Sequence, residues 1–132
     1  PEVIVVFDAA SGRLVEANRN AVALHGLPAS RLLGSRAADF APPFQPDGRA
    51  SADVLGAHAR LALAGETQVF DWLHRNADGG EVACEMRLVR LPDSGGRDLV
   101  RCSITEVAAR RRAELIAAGE RAVLENVAAN GP

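Results

Sequence analysis

Apolar residues along this chain fall into short blocks, each ended by glycine, proline or asparagine. Residues 3–8 are apolar and largely β-branched, and Ala9-Ala10-Ser11-Gly12 supplies turn chemistry before a second apolar stretch at 13–17. Two such runs around a glycine-containing loop predict a β-hairpin. Asn18 is placed to cap a short helix through Leu24, because its side-chain oxygen can accept from the free N–H groups of a first turn. Gly26 then supplies the left-handed stop. Residues 28–33 predict another short helix ended by Gly34. Residues 35–50 carry three prolines and one glycine after Phe40 and read as irregular. Ser51 is a candidate cap for a longer helix to Ala64, in which Val54, His58 and Leu61 recur at helical spacing on one face.

The remaining body reads as strand. Residues 67–76 form one run, Asp78-Gly79-Gly80 is a hairpin turn signal, and 81–91 is the next run. There Val82, Cys84, Met86 and Leu88 alternate with Glu81, Glu85 and Arg87, the pattern of a half-buried strand. A loop at 92–96 leads to a last strand at 98–105. The order β-β-α-α-α-β-β-β requires an antiparallel sheet where strands are joined by tight turns. Five strands with the helices gathered on one face make an α+β fold. Residues 106–129 read as a helix in which Ala108, Leu115 and Ala122 recur every seven residues, extended by Ile116 and Val123. That spacing suits a coiled-coil seam between two copies, although Gly119 weakens it locally. Packing of this helix on its own domain is the competing reading.

Composition narrows the function. The chain has 132 residues, enough for one domain with its own core. Its net charge of −2 and its single basic run, Arg110-Arg111-Arg112, argue against nucleic acid or an anionic membrane as partner. No apolar run reaches membrane-spanning length and no signal peptide is present. Cys84 and Cys102 are the two cysteines, each inside an apolar strand. They read as buried free thiols, which fits a reducing, cytoplasmic setting. Both ends of the sequence read as cuts from a longer chain.

An enzyme reading fails on inventory. His25, His58 and His74 fall on different elements, and no phosphate loop, nucleophile elbow or paired-histidine metal motif is present. His25 lies near a helix C-terminus, where the dipole favours positive charge. Glu85 is a conceivable general base, but alternation turns it away from Cys84 and Met86.

Over residues 3–106 the sequence resembles the PAS family. The resemblance rests on Phe7-Asp8 with Gly12, Val15-Glu16-Ala17-Asn18 with Ala21, and Leu33-Gly34. It continues through Gly65, Phe70-Asp71-Trp72 with His74-Arg75, Asp78-Gly79, Glu85 and Ser103-Ile104-Thr105. Gln45-Pro46-Asp47-Gly48 resembles a loop word of one PAS subgroup. The resemblance implies a five-stranded antiparallel sheet enclosing a small pocket with short helices, and a non-catalytic role in bacterial signalling. Residues 1–105 would be the sensory domain, and 106–132 a helix that passes the signal to a downstream domain of the same chain. That output would be a histidine kinase of a two-component system, a cyclic-nucleotide enzyme or a DNA-binding transcription regulator. Glu120 to Glu125, running on to Gly131-Pro132, resembles the lead-in to a GAF domain. Ser103-Ile104-Thr105 resembles the Asp-Ile-Thr triplet at the joint between sheet and signalling helix, with serine in place of the charged residue.

The implied pocket would be small and mostly apolar. Phe40, Val54, His58 and Leu61 are its expected helical-side lining, and Phe70, Trp72, Cys84 and Met86 its expected strand-side lining. A filled core without ligand is the competing reading. The cofactor, if any, is not specified by the sequence. His58 lies on the helix that carries the axial histidine of haem-binding relatives, but closer to Gly65 than in those domains, which argues against haem. Covalent flavin photochemistry needs a cysteine near the start of the irregular segment, and residues 33–50 contain none. The expected role is therefore a homodimeric sensor module for a small ligand. The alternatives are a ligand-free interaction domain and, after it, a small α+β enzyme.

Overall fold

A computed structural model describes residues 2–92, 94–108, 112 and 114–119. The first hairpin joins β1 (Val3–Asp8) to β2 (Arg13–Ala17). Its loop is closed by Gly12, whose φ of 73° lets its N–H reach Asp8 O at 2.7 Å, a conformation costly for a side chain with a Cβ. A bulge between Val6 and Phe7 shifts the register, so that Val6 faces Glu16 and Phe7 faces Leu14.

The cap expected at Asn18 is present and reaches further than a cap. Its Oδ1 accepts from Ala21 N–H at 2.9 Å and from Ile4 N–H at 3.1 Å, while Nδ2 donates to Glu2 O at 2.7 Å. One side chain thus starts α1 (Arg19–His25) and fastens it to the head of β1. Gly26 ends the helix in the left-handed conformation, its N–H bonded to Val22 O. The next helix is a single turn, α2 (Ala29–Leu32). The segment read as irregular contains a 3₁₀ turn at Ala37–Phe40.

Helix α3 spans Ser51–Leu63, and Ala50, not Ser51, is its N-cap. Ser51 turns inward instead: it is buried, donates to Pro42 O and accepts from Gln45 Nε2. The buried face of α3 carries Ser51, Val54, Leu55, Ala59 and Ala62. This stripe is rotated from the one expected. Leu61 lies off it, 43% exposed.

Strands β3 (Gln68–Arg75), β4 (Glu81–Arg90) and β5 (Leu99–Glu106) complete an antiparallel sheet of order β2-β1-β5-β4-β3. The central pairs place Met86 beside Ile104, Leu88 beside Cys102 and Val5 beside Cys102. With Phe7, Leu14, Trp72, Cys84 and Val100, these residues form one buried layer against Leu32, Phe40 and α3. Alternation puts Glu85 on the opposite face, level with Asp71 and Thr105.

Each sheet edge is covered at one residue, where an exposed edge would otherwise template pairing. On β2, Leu14 N–H and C=O bond to Ser35 O and Gly34 N–H, each at 2.8 Å. On β3, a side chain does this work: Gln45 Oε1 accepts from Leu73 N–H at 2.8 Å and Gln45 Nε2 donates to Leu73 O at 3.2 Å.

The sheet ends at Glu106, and the described residues beyond it, 107–108, 112 and 114–119, are helical. Among the seam residues, Ala108 and Leu115 are exposed, Leu115 by 72%, as is Ile116. Ala122, Val123 and the segment resembling a GAF lead-in lie outside the described residues. No helix among the described residues is long and apolar enough to cross a membrane.

Candidate functional site

The eight expected pocket residues do not gather around one cavity. The interior between sheet and helices is nearly filled. Phe40, Trp72 and Met86 border a void of about 20 Å³ there, together with His25, His74 and Cys102. That volume admits about one water. The larger space lies at the margin, a partly open cleft of about 440 Å³ lined by Val54, His58, Phe70, Trp72 and Cys84. Trp72 is the wall between the two. Leu61 borders neither.

Sequence reasoning missed the polar rim of the cleft. Gln45, Pro46, Asp47 and Arg49 form it from the irregular segment, Asp71 and Leu73 from the β3 edge, and Val107 from the chain just past β5. The rim is set by a tight turn in which Gly48 N–H bonds to Gln45 O, and Gln45 N–H to Arg49 O, both at 2.9 Å. Asp47 accepts from Arg49 N–H and pairs with its guanidinium at 2.9 Å. Those bonds, the backbone one foremost, hold the Asp47 carboxyl below its ordinary pKa. The Gln45-Pro46-Asp47-Gly48 word was the available sequence signal; its turn chemistry does not by itself tell where the glutamine side chain docks.

His58 lies flat on Phe70, ring centroids 3.8 Å apart and planes 2° from parallel, and Phe70 meets Trp72 edge-on. Its Nδ1 contacts Gln68 Oε1 at 2.9 Å. Cys84 is fully buried, and burial, followed by the Glu106 carboxylate, pushes its thiol up to about 11. Cys102 is raised in the same direction by burial and then by Cys84, and its sulfur contacts Met86 Sδ at 3.6 Å. Both cysteines are free and buried. A thiol held protonated is a poor nucleophile. Among the described residues no three His, Cys, Asp or Glu side chains converge to hold a metal ion.

Two histidines occupy the inner core. His25 and His74 meet edge to face with centroids 4.7 Å apart, and His25 meets Phe40 the same way. His25 Nδ1 donates to Ala21 O at 2.7 Å. The helix-end position of His25 suggested a stabilised positive charge, but burial outweighs the hydrogen bond to Ala21 O and lowers its pKa. His74 is lowered to about 4, by burial first and then by the charge of His25, with Asn76 acting weakly the other way. Among the described residues neither His74 Nε2 nor Asn76 Oδ1 reaches hydrogen-bonding geometry with a partner.

The residues expected at the joint lie on β5. Ile104 is buried, Thr105 is exposed, and half-buried Ser103 stands opposite Arg87.

The family described as the PAS fold matches residues 1–112. No curated protein matches the sequence. Among solved structures, the PAS domain of an HTR-like protein from Haloarcula marismortui is 24% identical, with TM-score 0.61 over 81% of this chain and 82% of that one. A PAS domain from a two-component sensor histidine kinase is 15% identical, with TM-score 0.62 over 80% of this chain and 84% of that one. The LOV domain of the Erythrobacter litoralis EL346 blue-light activated histidine kinase is 15% identical, with TM-score 0.64 over 81% and 96%.

Proposed function

Because the chain belongs to the PAS family, a class of sensory modules that are in general not catalysts, we propose that it senses a small molecule bound in the marginal cleft. The signal then leaves through the C-terminal helix toward a downstream domain of a signalling protein. The observation that carries this reading is Val107. It lines the cleft and is the first helical residue after β5, so an occupant touches the root of the helix directly. Little slack separates them, since Glu106 is still paired with Cys84 in the sheet. A ligand shifts only an equilibrium whose states it contacts differently, and the helix root is such a contact. Dimerisation through the exposed Leu115 stripe would place two such helices side by side. In this reading residues 1–105 sense and 106–132 transmit.

The chain has one tryptophan, Trp72, on the cleft wall, so its indole N–H resonance is a single reporter of occupancy. In a fragment screen by NMR, a binder should shift that resonance and the Val107 amide together. Binders that move Trp72 and leave Val107 unchanged would break the proposed link. An absorbance scan of the purified protein should show neither a Soret band nor a light-induced cysteinyl adduct, and native mass spectrometry would reveal a colourless occupant.

A second reading is favoured by the filled interior, whose void is only about 20 Å³. In it the module works as a ligand-free dimerisation or interaction domain. Screening separates the two, because that reading gives no saturable shift at Trp72.

A further inference from the structure

The hydrogen-bonding role of His58, which lines the cleft, is fixed by its neighbours. Gln68 Nε2 donates to Glu66 O at 3.0 Å. A carbonyl oxygen can only accept, so the amide has one allowed orientation and Oε1 is the atom facing His58. Oε1 can only accept in turn, so His58 Nδ1 carries the hydrogen across their 2.9 Å contact. In the neutral ring, Nε2 then presents a lone pair, and no protein partner to it is found among the described residues. The stack on Phe70 holds the plane of the ring, and the Gln68 contact holds its edge. Around this acceptor the inward-facing lining is apolar and aromatic: Val54, Phe70, Trp72 and Cys84. The charged rim carries two carboxylates, Asp47 and Asp71, against one guanidinium, and Arg49 is already paired with Asp47. Among the described lining residues negative charge therefore prevails, which disfavours an anionic ligand.

We infer that the cleft selects a neutral aromatic molecule carrying one hydrogen-bond donor, a hydroxyl or a ring N–H, which it delivers to His58 Nε2. The inference rests on the ligand-binding reading of the cleft and adds the chemical class. The aromatic body packs against Phe70 and Trp72, and the donor sets the orientation. A site that presents a fixed acceptor disfavours the analogue in which the donor is blocked, because the acceptor is then desolvated without a partner.

The experiment uses three probes on the full chain: 4-propylphenol, its methyl ether 4-propylanisole, and 3-phenylpropionate. Titrations are followed on the Trp72 indole resonance. The phenol should bind about tenfold tighter than the ether, the worth of one hydrogen bond, and the anion should bind weakest. In His58→Phe, which keeps the stack and removes the acceptor, the phenol-to-ether ratio should fall to about one, the phenol binding more weakly and the ether no worse than before. Gln68→Leu should lower the same ratio without replacing the ring, which keeps the test open if His58→Phe folds poorly. Nitrogen-15 shifts of the His58 ring at alkaline pH should report hydrogen on Nδ1. Equal binding of phenol and ether, a ratio that survives His58→Phe, or hydrogen on Nε2 would overturn the inference while leaving a ligand cleft in place. Silence of Trp72 toward all three probes would remove the cleft reading and the inference with it.

Discussion

Gln45 and Leu73 form a closed two-bond ring. The side-chain amide accepts from Leu73 N–H at 2.8 Å and donates to Leu73 O at 3.2 Å. The glutamine thereby takes the place of a sixth strand at one position of the β3 edge. The same nitrogen donates to Ser51 Oγ, so the turn, the edge strand and the start of α3 are tied at one point. The cleft rim is built on that tie.

Replacing Gln45 with leucine should therefore cost more than a surface substitution. It leaves a backbone N–H, a backbone C=O and a buried hydroxyl short of partners, each lost contact costing about 1 kcal/mol or more. Urea unfolding should show a loss of about 2–4 kcal/mol, with faster hydrogen exchange at the Leu73 amide. A loss under about 0.5 kcal/mol would mean that water replaces the side chain freely.

Acid should weaken the fold through the inner histidines. His74 titrates at about 4 in the folded protein against an ordinary 6.5, and His25 is shifted the same way. The unfolded chain then binds protons that the folded chain refuses, so stability is full above the unfolded value and falls as pH drops through that window. For His74 alone the change is on the order of 3 kcal/mol. His74→Leu should flatten this part of the stability-against-pH curve. An unchanged slope in the variant would show that other groups set it.

Phe7 and Ile104 anchor opposite ends of the central pair of strands, and both are buried. Truncation of either to alanine should cost roughly 2–5 kcal/mol through lost burial and a residual cavity. Thermal or denaturant unfolding checks this, and losses below about 1 kcal/mol at both sites would contradict the packing described.

Leu115 should matter for association and not for folding. It is 72% exposed, so Leu115→Glu removes no core contact. Sedimentation of the variant should show weaker self-association with unchanged unfolding of the sheet domain. A variant that unfolds and yields no folded monomer would place the helix in the core instead.

The pattern of the sequence determined the sheet and its order of elements. Alternation at Val82, Cys84, Met86 and Leu88 fixes which face of β4 is buried, because a strand repeats every two residues. Asn18 and Gly26 fix the ends of α1, because capping is local chemistry between near neighbours in sequence. Local signals also placed His58 and Trp72 on the elements that border the cleft. Contacts between distant segments lie beyond such signals. The expected face through Leu61 was wrong because apolar spacing gives a helix its period, while its rotation about the axis is set by what packs on it. The role expected of Ser51 was wrong because an inward partner, Gln45, competes for its hydroxyl. His25 and His74 are far apart in sequence, and only the folding of α1 onto β3 brings their rings to 4.7 Å and makes burial the dominant influence on both. The position of the open space was likewise a tertiary decision. The centre is nearly filled, and the cleft opens where the 45–49 turn, α3 and the edge of β3 fail to meet.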